Sequence, residues 1–274
     1  NPQFSELCGR LFDIDPDGDA VQFEGAWRSW GWVQNLASQV QQLLKEFGIG
    51  YAPVSFLARN TPEALAAMVG MLAEPRTIRM IYAFQSPAAI AASVEKLESP
   101  GLLLMETDLT PVVLAVVERI GISCISLGAT GARLAVTGRR REPAAPEPNP
   151  TIDILTSGTT GPPKQFPIAQ HVFAHMMLNQ GAPVLEDPTV PPFLMAFPFG
   201  NIAGLSSLVG TFLQGQRTVL LDKFSLEAWR AFVVEYRPVT GGLPSAAIPM
   251  ILEAQVPRED LASIRYITTG AAPL

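Results

Sequence analysis

A run of nine residues, Thr156–Lys164, combines hydroxyl groups, glycines and a lysine in the order TSGTTGPPK. Glycines let backbone N–H groups approach an anion closely, and serine and threonine hydroxyls donate to phosphate oxygens without adding charge. Lys164 adds a mobile positive charge beyond the stiff pair Pro162 and Pro163. The pattern therefore predicts a loop that clamps a polyphosphate.

The loop differs from the P-loop of nucleotide hydrolases. That motif, G-x-x-x-x-G-K-[ST], needs a glycine directly before its lysine, whereas Pro163 precedes Lys164 here. A simpler interpretation is a solvated linker with a surface lysine, because polar loops are common on protein surfaces. The residue types alone leave the clamp and the linker open.

TSGTTGPPK resembles the TSGTTGxPKG signature of the adenylate-forming (ANL) superfamily, which includes acyl-CoA synthetases, luciferases and the adenylation domains of peptide synthetases. The resemblance implies that the loop binds the phosphates of ATP and that Lys164 is catalytic, stabilising charge on the transferred phosphate. The implied contacts fall on Thr156, Ser157, Gly158, Thr159, Thr160, Gly161 and Lys164. Gln165 departs from the final glycine, and we expect it to alter loop flexibility more than phosphate contact.

Two further segments resemble the same family. Arg59–Glu63, with the sequence RNTPE, is similar to an RNxPE segment, and Pro198–Leu205, PFGNIAGL, is similar to the segment that lines the acyl pocket. The second resemblance implies a substrate pocket formed by Phe199, Asn201 and Gly204, with Asn201 where many relatives carry histidine. An apolar core helix would explain the same residues.

The segment Tyr266–Leu274, YITTGAAPL, resembles the family's strand and turn whose backbone lies beside the adenine of the nucleotide. The resemblance assigns Gly270, Ala271 and Ala272 to cofactor binding. Small residues permit that close approach. A plain junction of a strand and a turn is an equally good interpretation of the residues.

A metal site is not expected within this chain. His171 and His175 lie four residues apart, on one face of a predicted helix, but no third ligand is evident near them. The resemblance implies that Mg²⁺ acts together with ATP, and we expect its ligands to lie outside these residues.

The resemblance implies a reaction in two steps. A carboxylate oxygen attacks the α-phosphate of ATP to give an acyl-adenylate and pyrophosphate, and the acyl group then passes to a thiol such as CoA. Residues 188–216 contain no charged residue, and burying a substrate ammonium unpaired would be costly, so we expect a small carboxylic acid with an apolar acyl or aryl tail.

Three other functions stay open. The chain could belong to an amino-acid adenylation domain, to a degenerate module that binds a nucleotide or a partner without catalysis, or to a phosphate-loop hydrolase that converts ATP to ADP. The sequence ends before the later active-site segments of the family, so we expect an N-terminal portion that is inactive by itself.

Strands and helices are predicted to alternate along the chain. Apolar residues between Val33 and Phe47 follow the spacing of a one-faced helix, which Gly48 ends. Short apolar strands between helices favour an α/β fold with largely parallel, covered sheets. The predicted strands are 54–57, 77–84, 102–105, 122–127, 151–155, 193–197 and 217–221, and the other predicted helices are 62–72, 87–98, 111–120, 169–180, 202–213 and 226–236.

Proline enrichment in residues 142–150 predicts a linker, because such a segment packs poorly as a helix or a central strand. We expect two successive α/β subdomains, residues 1–141 and residues 151–274, the second carrying the predicted phosphate-binding loop. By resemblance, both are part of the large N-terminal domain of an acyl-adenylate synthetase.

The composition excludes several classes of protein. A chain of 274 residues with 48% hydrophobic and 16% charged residues is expected to be globular, and its net charge of −6 gives no electrostatic footprint for nucleic acid. Two cysteines, Cys8 and Cys124, are too few for a disulfide framework, which favours the cytoplasm. Prolines and glycines interrupt the apolar run 193–213, so it predicts a buried strand, turn and helix, not a membrane span. The oligomeric state stays open.

Overall fold

The computed structural model of the protein describes residues 4–142, 144–156, 164–178, 187 and 189–269. The helices are α1 (Phe4–Leu11), α2 (Trp30–Glu46), α3 (Pro62–Leu72), α4 (Pro87–Leu97), α5 (Pro111–Ile120), α6 (Gln170–Leu178), α7 (Ile202–Gly210), α8 (Leu226–Tyr236) and α9 (Ala247–Glu253). The strands are β1 (Asp19–Phe23), β2 (Ala26–Ser29), β3 (Val54–Leu57), β4 (Ile78–Ile81), β5 (Gly101–Met105), β6 (Ser123–Gly128), β7 (Gly131–Val136), β8 (Thr151–Thr156), β9 (Lys164–Ala169), β10 (Phe193–Met195), β11 (Thr218–Leu220), β12 (Thr240–Gly242) and β13 (Tyr266–Thr268).

Several helices begin where local capping signals predict. The hydroxyl oxygens of Thr61, Ser86 and Ser225 accept hydrogen bonds from backbone N–H groups three residues later, at 3.2, 3.3 and 3.1 Å. Each hydroxyl satisfies a donor that the first helical turn leaves free. Proline occupies the first position of both α3 and α4, where its missing N–H costs nothing.

The largest sheet has seven strands in the order β7-β6-β5-β3-β4-β8-β9. Its five inner strands run parallel, and antiparallel pairing adds β7 at one edge and β9 at the other. A second sheet has the order β10-β11-β1-β2, and a pair of short parallel strands, β12 and β13, forms a third. The expected α/β fold with largely parallel sheets is confirmed.

Strand pairing crosses the proline-rich segment 142–150 in both directions. Strand β8, which follows the segment, pairs with β4 in the large sheet, and β1 near the start of the chain pairs with β11 near its end. Sheet membership therefore does not divide the chain at the predicted linker. A hydrogen-bonded ladder depends on partners that are distant in sequence, and proline enrichment carries no information about them.

Helix α3 lies within the hydrophobic core. Every residue of α3 except Glu63 is buried, and the helix packs against α2. Gly70 lies at this contact, where an added Cβ would be 2.5 Å from the carbonyl oxygen of Ala37. The absence of a side chain at Gly70 therefore sets how closely the two helices approach.

The apolar run 193–213 forms β10, a turn and α7, followed by a short 3₁₀ turn at Phe212–Gln214. This confirms the prediction of a buried strand, turn and helix. Among the described residues, no helix combines the length and apolar character needed to cross a membrane. The sequence did not predict α1, α9, β1, β2, β7, β9 or β12, and α6 begins at Gln170, one residue later than predicted.

We predict that Gly70→Ala destabilises the fold by about 1–3 kcal/mol, because its new methyl group forces α2 and α3 apart. Urea unfolding followed by circular dichroism measures the change. Gly9→Ala is the matched control, since Gly9 is an exposed glycine of α1 with open space around it. The control is expected to stabilise the fold by about 0.5–1 kcal/mol through helix propensity, and equal effects of both substitutions would contradict the close-approach explanation.

Candidate functional site

The predicted phosphate-binding loop is the connection of a β-hairpin at the edge of the large sheet. Strands β8 and β9 pair from Thr151 opposite Ala169 to Thr156 opposite Lys164, the last pair before residues 157–163. Ile152 and Ile154 are buried, which anchors β8 in the core. The ladder therefore fixes both ends of the connection relative to each other.

The structure changes the prediction for the two ends of the TSGTTGPPK run. Thr156 is the last residue of β8, and Lys164, predicted to lie in the loop, is the first residue of β9. The backbone of Lys164 is thus held by strand pairing. Five of the predicted phosphate contacts, Ser157, Gly158, Thr159, Thr160 and Gly161, lie outside the described residues.

A buried amide joins the carboxyl ends of the two larger sheets. Asn60 is 2% exposed and follows β3 of the seven-stranded sheet. Its Nδ2 donates to the carbonyl oxygens of Phe197, 2.9 Å away, and Leu221, 3.1 Å away. Its Oδ1 accepts from the backbone N–H of Phe199 at 3.1 Å. Because Phe197 follows β10 and Leu221 follows β11, one side chain closes the junction between the sheets.

An ion pair fixes the residue before this amide. The Arg59 Nε donates to both carboxylate oxygens of Asp108, at 3.1 and 2.8 Å, and its Nη2 donates to Oδ1 at 2.6 Å. These hydrogen bonds raise the pKa of the Arg59 guanidinium above its ordinary value. Asp108 lies in the turn after β5, so the pair ties the ends of β3 and β5 together.

The segment predicted to line a substrate pocket is strongly tied to the core. Phe199 is fully buried in the main hydrophobic cluster. Asn201 caps α7, and its Oδ1 accepts from the backbone N–H of Gly204 at 2.9 Å. A Cβ on Gly204 would overlap the carbonyl oxygen of Pro198, so this position needs glycine. These contacts position the segment, and its role as a pocket wall stays a prediction.

The predicted adenine-binding segment is only partly described. Tyr266–Thr268 forms the predicted strand, β13, which pairs with β12 and is exposed along its length. Gly270, Ala271 and Ala272 lie outside the described residues. His171 and His175 are both exposed on α6. In the described part of the chain, no three His, Cys, Asp or Glu side chains are grouped to hold a metal ion.

A cavity of about 420 Å³ opens between α1, the end of α3 and the start of α6. Leu72, Glu74, Glu147, Gln170 and His171 are among its lining residues, whereas Phe199, Asn201 and Gly204 are not. The predicted pocket residues and this cavity are therefore separate features.

Comparison with known proteins decides the family. A sequence profile described as AMP-binding enzyme matches residues 13–274. The chain belongs to the AMP-binding enzyme family. The family that the loop signature predicted is therefore confirmed. In α/β folds, ligands bind at the carboxyl ends of the parallel strands.

Relatives within the family are CoA ligases. The chain is 26% identical over 281 residues to an indoleacetate–CoA ligase from Aromatoleum aromaticum, an alignment that covers 98% of this chain and 55% of the ligase. It is 29% identical over 126 residues to the long-chain-fatty-acid–CoA ligase FadD13 from Mycobacterium tuberculosis, covering 44% of this chain and 24% of the ligase. The chain thus spans about half the length of the first of these relatives.

Solved structures show the same fold. The crystal structure of ATP-bound MatB from Rhodopseudomonas palustris superimposes with a TM-score of 0.78 and 18% sequence identity, covering 98% of this chain and 55% of that chain. At this identity the likeness supports the fold alone. It agrees with the mixed α/β architecture of the described residues.

Two residues at the site were not predicted in their structural roles. Asn60 was noted only as part of the RNTPE resemblance, and Gln165 only as a departure from glycine. The available signal for Asn60 was its position directly before the Thr-Pro-Glu start of a helix. A side-chain amide that is buried at such a position needs hydrogen-bond partners. No local pattern identifies the partners themselves, which lie more than a hundred residues away.

We predict that Asn60→Ala destabilises the fold by about 2–4 kcal/mol, because it leaves two carbonyl oxygens and one buried N–H at the junction without their hydrogen-bond partner. Asn35→Ala is the matched control, since Asn35 is exposed and accepts one hydrogen bond from Gln39. The control should change stability by less than about 0.5 kcal/mol. Chemical unfolding measures both, and similar small losses would show that Asn60 does not close the junction.

Proposed function

We propose that the protein carrying this chain is an AMP-forming acid–thiol ligase, which uses ATP to activate a small carboxylic acid and then forms a thioester with CoA. One observation carries the proposal. The TSGTTGPPK signature connects β8 and β9 at the carboxyl edge of the parallel strands, in a chain matched over residues 13–274 by the AMP-binding enzyme family. Ligands of α/β proteins bind at this edge.

This part of the chain would contribute to the reaction by stabilising negative charge. The substrate carboxylate attacks the α-phosphate, so no protein nucleophile is needed, and negative charge develops on phosphate oxygens. We assign the stabilising donors to Thr156–Gly161 and Lys164. Pairing with Thr156 holds the backbone of Lys164 in β9, so the lysine side chain extends from a fixed backbone position. Donors that are held in place before the reaction stabilise the transition state most effectively.

The nucleotide base and the metal ion involve other residues. We keep Gly270, Ala271 and Ala272 as the proposed neighbours of the adenine. Mg²⁺ would supply further neutralisation of phosphate charge. Since the described residues contain no grouped set of ligands for it, we assign it no ligand among them.

An apolar acyl or aryl tail is the substrate class that the chain favours. The segment that runs from β10 through α7 carries no charged residue, so it offers no partner for a substrate ammonium. Phe199, Asn201 and Gly204 remain the proposed pocket residues. Support comes from the relatives named for indoleacetate and long-chain fatty acids, since both acids pair a carboxylate with an apolar group.

Carboxylate-dependent exchange of pyrophosphate into ATP tests the proposal with the full-length protein. The panel contains an arylacetic acid, a long-chain fatty acid and a set of amino acids, followed by CoA to detect thioester formation. Exchange with the apolar acids, and AMP release on adding CoA, is the expected result. Exchange only with amino acids would support an amino-acid adenylation domain instead, and no exchange with any acid would overturn catalysis by this route.

We predict that Lys164→Ala lowers the exchange rate by about 10²-fold or more, because it removes a positioned cation from the transferred phosphate. The expected change in melting temperature is small, since an edge-strand residue beside a loop contributes little to the core. Lys45→Ala is the matched control, because Lys45 is exposed near the end of α2. Equal exchange rates for Lys164→Ala and the control would remove Lys164 from the mechanism.

A further inference from the structure

Gln165 lies directly beside the base of the hairpin that carries the signature loop. It follows Lys164 in β9 and is opposite Leu155 in the ladder, one step before the pair formed by Thr156 and Lys164. Its side chain is partly buried. A change in the position of Gln165 would therefore be transmitted to both ends of residues 157–163.

The ladder between β4 and β8 ends before it reaches this base. The last paired residues are Arg79 and Asp153, although β4 continues to Ile81 and β8 continues to Thr156. Beyond this point the hairpin has no described backbone pairing to the rest of the large sheet. The link between this part of the hairpin and β4 therefore depends on side chains and not on a backbone ladder.

The Gln165 side chain spans this gap. Its Nε2 donates to the carbonyl oxygen of Met80 in β4 at 3.0 Å, on the far side of β8 from β9. The hydrogen bond therefore links the base of the hairpin to β4 at a point where β4 and β8 are no longer paired. Glycine, the residue that the loop signature carries at this position, has no side chain with which to make the link.

We propose that Gln165 is a positioning residue for nucleotide binding: its amide links the hairpin base to β4 and so holds the backbones of Thr156 and Lys164, which flank residues 157–163, relative to the sheet. The inference rests on the proposed function of the loop. Its physical basis is that a binding loop loses less freedom on binding when its ends are already fixed. Loss of this hydrogen bond is expected to weaken the binding of ATP and to leave the KM for the carboxylic acid unchanged.

The chain contains a matched control for this amide. The Nε2 of Gln170, at the start of α6, donates to the carbonyl oxygen of Arg76 at 2.7 Å, and Gln170 is 6% exposed. Both glutamines thus link the β9–α6 region to the residues around β4. Gln170 follows the end of β9 that lies away from the loop. Removing its hydrogen bond therefore shows how much such a loss changes stability without a direct change at the loop.

The experiment compares Gln165→Met and Gln170→Met with the unmodified full-length protein. Methionine keeps the length of the side chain and removes the donor. The Gln165 Oε1 has no hydrogen-bond partner in the described part of the chain, so Gln165→Met removes only the Met80 bond there. The readouts are the melting temperature, the KM values for ATP and for the carboxylic acid in pyrophosphate exchange, and the Kd for ATP by calorimetry.

Gln165→Met is expected to raise the KM and the Kd for ATP about three- to tenfold, the range that one hydrogen bond supports, with the carboxylic acid KM unchanged within about twofold. Gln170→Met should lower the melting temperature and leave both ATP values unchanged. An unchanged Kd for ATP in Gln165→Met would overturn the inference, as would equal ATP defects in the two variants.

Failure of the proposed function gives a different result. If the unmodified protein binds ATP but catalyses no exchange, the ligase proposal fails, and the Kd values for ATP alone decide the role of Gln165. If it binds no ATP, both proposals fail. If Gln165→Met unfolds, Gln165→Glu provides the second variant, because it keeps the shape of the side chain and replaces the donor with an acceptor.

Discussion

The burial of one asparagine amide constrains the arrangement of the whole site. The carboxyl ends of parallel strands from the two larger sheets meet at this junction, and the backbone groups there need hydrogen-bond partners. Asn60 provides two donors and one acceptor contact to Phe197, Leu221 and Phe199. Leaving those groups buried and unpaired would cost about 1–3 kcal/mol each, so the junction tolerates few other side chains.

Three consecutive residues perform three different structural tasks at this junction. Arg59 binds Asp108 after β5, Asn60 binds the ends of β10 and β11, and Thr61 caps α3. The direction of α3 is thereby fixed relative to both sheets. The helix then passes through the interior, where Gly70 allows α2 to approach closely. The site and the core thus depend on the same short turn.

Local signals in the sequence predicted most helices and inner strands, and they failed where pairing is long-range. Thr61, Ser86 and Ser225 act within one turn of their own helices, so the sequence reveals them. Strand β1 depends on β11, almost two hundred residues later, and nothing near β1 reports that partner. Proline enrichment is also a local signal, so it predicted a boundary at residues 142–150 without showing that strands on either side pair with each other.

The candidate site shows the same division between local and long-range information. The signature identified the loop and its lysine by their types, yet it gave no sign that Lys164 begins a strand. Pro167 lies within β9, and proline is tolerated there because β9 is at the edge of the sheet. An antiparallel edge strand returns the chain directly beside β8, and this geometry holds the two ends of a glycine-rich connection together. The proposed phosphate-binding site therefore depends on two features of different origin: residue types that can be recognised in the sequence, and a ladder that forms only in the folded protein.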